Sequence, residues 1–213
     1  MSENQIFIFD SVYSQLRSGF LSIEEIEEST LEQVDENGFA DEISEAWVLE
    51  IIEQEWQKLE HESQHWVHPT DTEKLMAAFD QLCKDKIIAL HNAGYTMSDG
   101  GIEAVEIEIQ LREKGITSNG YCFYHQQDLD GVLGRNADCL HIAFQKIDNS
   151  EDAVTIEVGT RVLEALQAHG LPAEWDGMAM NRIQIRNFLW RKIYSETNEH
   201  RFAHERVLKL MKK

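Results

Sequence analysis

GYCFYHQQDLDGVL, residues 120 to 133, changes character partway along its length. Its first six residues are aromatic-rich and open on glycine, which predicts a strand, and Gln126-Gln127-Asp128 then predicts a turn or the start of a helix. Four other runs read the same way: IIALHNAGYTM (87–97), CLHIAFQKI (139–147), LPAEW (171–175) and RIQIRNF (182–188). Between them lie helix-like segments over 101–114, ending at Gly115, and over 151–169, where Val154, Val158, Val162 and Leu166 form one face before Gly170. Strands alternating with helices predict a sheet with helices packed on it. Only the turn around Asp176-Gly177 separates the last two strands, so they are expected to pair as an antiparallel hairpin in a mixed, five-stranded sheet.

Upstream, the chain reads as helical. Asp10 is a candidate cap for a helix running through Val12 and Leu16 to Gly19. Ser22 with Glu25 forms a capping box for a second, acidic helix that stops before Asn37-Gly38. Both are expected to lie on the surface. From Phe39, Ile43, Ala46, Trp47, Leu49, Ile52, Trp56 and Leu59 recur at helical spacing, and Pro69 closes the segment. A second box, Thr70 with Glu73, opens a helix whose Leu75, Met76, Phe79, Leu82 and Cys83 face inward. A final amphipathic helix is expected over 196–211. The fold class is therefore α+β, with a helical N-terminal region (1–68), a sheet domain (69–194) and a basic C-terminal helix (195–213).

Charge is distributed unevenly. The net formal charge is −20, and residues 1 to 65 carry 17 acidic against two basic residues, whereas residues 178 to 213 carry three against nine. Phosphate backbones repel such a chain, so no nucleic-acid binding is expected. The acidic helical face predicts a basic protein partner as the alternative to a merely solubilising surface. With 42% apolar residues, no long uncharged apolar window and no signal-peptide pattern at MSENQIFIFD, neither membrane anchoring nor secretion is expected. Three cysteines are too few for a disulfide framework, which predicts reduced thiols in a bacterial-type cytoplasm.

The order GYCFYHQQDLDGVL, CLHIAFQ, TIEVGTRVLEALQAHGL, AEWDG, NRIQIRNFLWRK, preceded by WVHPTDTEKLMAAFDQL, resembles an uncharacterised bacterial domain-of-unknown-function family. In that family a GY-x-FYH-x-QD segment precedes a second strand and a WDG turn. The resemblance covers about residues 66 to 192, and more loosely the acidic helices before them. It implies a cysteine cluster just past the first strand in many members; here that stretch, Gly94 to Gly101, reads GYTMSDGG without a cysteine. The resemblance implies a fold and a site location, and no activity.

Several groups of residues could carry chemistry. His61, Glu62 and His65, in HESQH, match the pattern in which two histidines one helical turn apart bind zinc and the glutamate serves as base, with His68 as a conceivable third ligand. The polar Ser63 and Gln64, and Pro69 close behind, favour a surface histidine cluster instead. Tyr124, His125, Gln127 and Asp128 stand where a strand ends, the usual ligand rim of sheet-and-helix folds, with His125 as general base or ligand and Asp128 orienting it. The plainer reading is that Asp128 caps a turn and His125 is a satisfied, partly buried histidine. Trp175, packed in the core, with Asp176 and Gly177 forms a hairpin turn. Arg182 and Arg186 lie on one side of a strand, where they can recognise a carboxylate or phosphate or pair with the chain's own acids. Cys122, Cys139 and His141 on neighbouring strands could bind a metal, although core packing is the commoner fate of such cysteines. No phosphate loop, nucleophile elbow or CxxC pair is present, and no cofactor is expected. The functional expectation is a binding or regulatory module that contacts a protein partner through its acidic helices. The alternative is a small-ligand binder or enzyme using the strand-end group with Asp176, and the least favoured is a zinc metalloprotease.

Overall fold

The computed structural model describes residues 1–134, 139–196 and 200–212. The fold is α+β: among the described residues, eight helices accompany one mixed five-stranded sheet. The chain divides into two compact units, Met1–His68 with Trp190–Glu199, and Pro69–Leu189 with His200–Lys213.

The first unit contains α1 (Glu3–Ser18), α2 (Ile23–Glu36) and α3 (Glu45–Ser63). Ser2, not Asp10, caps α1, exchanging bonds with Gln5 in a capping box two turns upstream of the expected start. Ser22 and Glu25 form their box as expected. These helices do not merely lie on a surface: Ile8, Val12, Leu16, Ile26 and Val34 meet Ile43, Val48, Ile52 and Leu59 in a core of their own. Ser44 caps α3, so that helix starts later than the pattern from Phe39 suggested, and its buried stripe runs through Val48, Ile51, Ile52, Glu55 and Leu59. Leu49, expected inside, is 37% exposed.

The second unit opens with α4 (Asp71–Lys84), capped by the expected Thr70–Glu73 box. Then follow β1 (Ile87–Leu90), α5 (Met97–Arg112), β2 (Gly120–Phe123), α6 (Gln126–Leu133), β3 (Cys139–Gln145), α7 (Asp152–Ala168), β4 (Ala173–Glu174), β5 (Ile183–Arg186) and α8 (His204–Met211). The strand order is β1-β2-β3-β5-β4; β1 and β2 are parallel and every other pair is antiparallel, including the expected β4–β5 hairpin. The run 87–97 is a strand only as far as Leu90. Asn92 and Gly94 adopt left-handed φ angles of 48° and 60°, which break the pairing, and Thr96 then forms a capping box with Asp99 to start α5 before residue 101. The stretch after Gln126 is a helix. Of the helix expected over 196–211, residues 197–199 lie outside the described residues and α8 covers the rest from His204.

Register sorts the side chains onto two faces. Cys122 opposes Phe144, and Leu140 and Ile142 oppose Ile185 and Ile183, on the face that α4 and α7 cover; a Cβ on Gly159 of α7 would stand 2.5 Å from the Phe144 ring. Tyr121, Phe123, Ala143, His141 and Cys139 share the other face with Gln184 and Arg186. There α5 packs over β1, with Gly100 pressed on Phe123, and α6 packs near β3. Gln184 of β5 stays half-exposed on that face, and Arg186 of β5 and Glu174 of β4 stay exposed. Gly100 and Gly101, adjacent in α5, therefore make opposite predictions. Gly100→Ala drives a methyl to 2.4 Å from the Phe123 ring and should destabilise by about 1–3 kcal/mol, whereas Gly101→Ala meets open space and should stabilise by about 1 kcal/mol. Urea titrations of the two variants check both signs.

Candidate functional site

The end of β2 runs straight into α6, and its residues are spent on that junction. His125 is the N-cap: its Nδ1 accepts from the Asp128 backbone N–H at 3.2 Å, and Asp128 Oδ2 accepts from the His125 N–H at 3.3 Å. A capping box built on histidine leaves Nδ1 as an acceptor, so the ring proton sits on Nε2, which is 3.2 Å from Asp128 Oδ2. Both side chains are buried. Tyr124 is fully buried, and burial pushes its hydroxyl well above the usual tyrosine pKa. Gln127 points to solvent. The loop after β1 covers this rim: Ala93 N–H donates to the Tyr124 carbonyl, Gln126 N–H to that of Gly94, and Asn92 Nδ2 to Gln126 Oε1. Apart from exposed Gln127, the strand-end group is thus covered by its own chain.

Asp128 has one more partner, and that partner leads to an opening. Arg182 Nη1 donates to Asp128 Oδ1 at 2.8 Å, while a third of the Arg182 side chain remains exposed. Arg182 stands just before β5, at the edge of a cleft of about 770 Å³ over the uncovered part of the sheet. His141 and Gln184, directly opposed on β3 and β5, also line the cleft. Arg186 borders it further along, bonded to Glu174 Oε2 at 2.9 Å and to Gln184 Oε1 at 3.3 Å. The β4–β5 turn forms one wall. Asp176 accepts from Met178 N–H at 3.0 Å and from Asn181 Nδ2 at 2.6 Å, which holds its carboxyl below the usual range. Trp175 Nε1 donates to the carbonyls of Met178 and Asn181. Its ring meets Phe144 edge-on at 5.1 Å but is only half-buried, where the sequence suggested a core residue; the indole N–H needs the turn carbonyls, and that keeps one edge at the wall.

The structure therefore joins His125, Asp128 and Arg182 by direct contacts and sets Asp176, Arg182 and Arg186 around one cleft, leaving Tyr124 and Gln127 outside it. Sequence reasoning missed Gln184 and Glu174 and gave His141 a different role. The alternation in RIQIR signals a polar strand face, but its neighbours follow only from register. Among the described residues, none hydrogen-bonds the His141 ring. Partial burial, and then the Arg182 guanidinium, push its pKa below the ordinary histidine value, against a smaller opposing pull from Asp128. The ring is neutral at pH 7, offering one donor and one acceptor.

The remaining groups do not assemble. Cys122 and the pair Cys139 and His141 occupy opposite faces of the sheet, because Cys122 opposes Phe144 while Cys139 opposes Arg186, so the three cannot share a metal. None of the three cysteines is in a disulfide. In HESQH, His65 falls beyond the end of α3, and its Nδ1 contacts the His61 carbonyl at 3.0 Å. Glu62 is engaged by both terminal nitrogens of Arg17, at 2.8 and 2.9 Å, which lowers its pKa. No group of three or more His, Cys, Asp or Glu among the described residues is placed to hold a metal ion. No helix among them is long and apolar enough to cross a membrane.

A family model described as Domain of unknown function (DUF6891) matches residues 2–194, in line with the uncharacterised family that the motifs resemble. No curated protein and no solved structure matches the chain.

Two predictions follow from these contacts. The His141 ring should titrate below about 6.5 in an NMR pH series, and Arg182→Gln should raise its pKa. Because the unfolded chain takes that proton first, stability should fall as pH drops below the unfolded value, and His141→Asn should remove part of this acid-side loss; a His141 titrating above the ordinary value would contradict the geometry. Elemental analysis of the purified protein should find zinc well below one equivalent, and a full equivalent lost on His61→Ala would restore HESQH as a metal site.

Proposed function

The chain belongs to the DUF6891 family, a domain of unknown function, and from the cleft we propose that it is a cytoplasmic bacterial binding protein for a small polar ligand. One observation carries this reading: the uncovered sheet face forms a cleft within the volume range of small-molecule sites, floored by a neutral imidazole and an amide and flanked by two guanidiniums. Recognition groups of this kind fix a ligand's orientation. One of them, Arg182, is anchored from behind by a buried carboxylate, so little freedom is lost when a ligand engages it. Three cysteines outside any disulfide suit a reducing compartment. The test is NMR of the isotope-labelled full chain against mixtures of sugars, carboxylic acids, amino acids and nucleosides. A ligand should move the Trp175 indole, the Gln184 amide and the His141 ring together; no response, or one confined to other residues, would remove the reading.

The charge distribution favours a second, independent reading, a protein partner for the acidic helices. Glu24, Glu28, Glu32 and Asp35 on α2, with Glu50, Glu53 and Glu60 on α3, are all exposed. A basic partner would gain from such a surface mainly in association rate and salt dependence. Immobilised protein should retain lysozyme, as a cationic probe, in low salt and release it at about 0.5 M salt, where screening acts within a few ångströms. Retention that ignores salt, or none at all, would count against this reading.

A further inference from the structure

We propose that the cleft takes a zwitterion, an α-amino acid with an apolar side chain, binding its carboxylate on Arg182 and its ammonium on Glu174; this rests on the cleft being a ligand site. The argument starts from the register. Glu174 of β4 opposes Gln184 of β5, so the cations that flank Gln184, Arg182 and Arg186, stand along one strand and Glu174 along the next, about 4.8 Å away. Asp176, just past β4, adds a second acid to that side. A simple anion entering the cleft would face two exposed carboxylates, and a simple cation two guanidiniums. A ligand carrying both signs on neighbouring atoms can place each against its opposite.

The existing contacts fit such an exchange. Arg182 spends Nη1 on buried Asp128 and keeps its other donors for the cleft, a fork suited to a carboxylate. Glu174 is held by Arg186 in a pair exposed at both ends, 59% and 66%, and such pairs open at little cost. An ammonium group replacing Arg186 on Glu174 would keep that acid paired. Beside the charged groups the floor is uncharged: Gln184, between the two arginines on β5, and His141, opposite it on β3, can bond to a carboxylate or an amine without upsetting the balance. Apolar surface for a side chain is at the wall, where Met180, 94% exposed, is flexible enough to fold over a ligand and the indole N–H edge of Trp175 meets the turn carbonyls.

Titrations of the full chain, followed through the Trp175 indole and the Gln184 side-chain amide, test this with matched probes: L-leucine, 4-methylpentanoate, which lacks the amine, and isopentylamine, which lacks the carboxylate. Leucine should bind saturably, and each truncated analogue about tenfold or more weaker, the loss expected when one charged contact is deleted. Glu174→Gln, an exposed change that leaves the fold intact, should weaken leucine and not 4-methylpentanoate. Arg182→Gln, with its fold verified by its spectrum, should weaken both. Equal binding of 4-methylpentanoate or isopentylamine at the cleft would overturn the zwitterion while leaving a ligand site there. Silence of the cleft resonances towards all twenty protein amino acids would overturn it too, and if the mixed-metabolite screen is also silent, the ligand site falls with it.

Discussion

A carboxylate withdrawn from water has to be met by donors, and the polar geometry of the sheet unit depends on how Asp128 meets that demand. Its side chain is 5% exposed, and it receives the His125 N–H on one oxygen and the Arg182 guanidinium on the other. The same residue offers its own backbone N–H to the His125 ring. Removing one partner of a buried pair typically costs about 3–5 kcal/mol, because the remaining charge is left stranded. The start of α6 and the placement of Arg182 are consequently one device: the helix cap fixes the carboxylate, and the carboxylate fixes a guanidinium at the edge of the sheet. A donor fork held this way stands at the edge of the cleft already oriented, which an ordinary surface arginine does not.

The opening beside it follows from connectivity. The parallel pair β1 and β2 needs a crossover, and α5 supplies it over the face bearing Phe123, brought close by Gly100. The chain then returns from β2 to β3 through α6, which covers the middle of that face. The next connection, α7, lies on the opposite face, where Gly159 lets the rings of Phe144 and Trp175 reach its backbone. From β4 to β5 the chain makes only a turn, with no helix available to cover either strand. The first face is therefore closed at β1 and β2 and open at β5 and β4. The Asn92–Gly94 reversal completes the closure at the parallel end, so the rim that sheet-and-helix folds commonly use for ligands is shut here and the free surface lies at the antiparallel end.

What could be read from the sequence divides along the same line between local and non-local physics. The boxes Ser22–Glu25 and Thr70–Glu73 are legible because capping is settled within four residues, and each cap contributes about 1 kcal/mol wherever the helix ends up. All five strands are visible as aromatic or β-branched runs. Asp10 misled because it is a good cap residue in isolation, whereas Ser2 and Gln5 form a reciprocal box. The α3 stripe was out of phase because two tryptophans and several aliphatic residues give its sequence more than one apolar side, and only packing against Ile8 and Val12 chooses among them. Thr96–Asp99 was hidden inside a run whose apolar residues suggested a longer strand. At the site, the polar alternation of RIQIR was visible, but the Arg182–Asp128 bond spans 54 positions and the pairing of His141 with Gln184 depends on register. Neither leaves a mark in any short window.

Electrostatics within the first 65 residues show why HESQH reads differently in the fold than in the sequence. That stretch holds only two basic residues, and both are committed: Arg17 grips Glu62, and Lys58 reaches Glu55, whose side chain is 8% exposed. Arg17 also lies over the Tyr13 ring at 4.6 Å, so its guanidinium is held by a ring face as well as by a carboxylate fork. A glutamate serving as base for a metal-bound water needs a free oxygen facing the metal, and Glu62 has both oxygens directed at Arg17. With the two cations spent on one partly buried acid and one motif glutamate, the other acids keep their charge towards solvent, where water and salt screen them within about 8 Å. The acidic surface of this stretch is thus what remains after its own ion pairs are made, and that remainder is what a cationic partner would encounter.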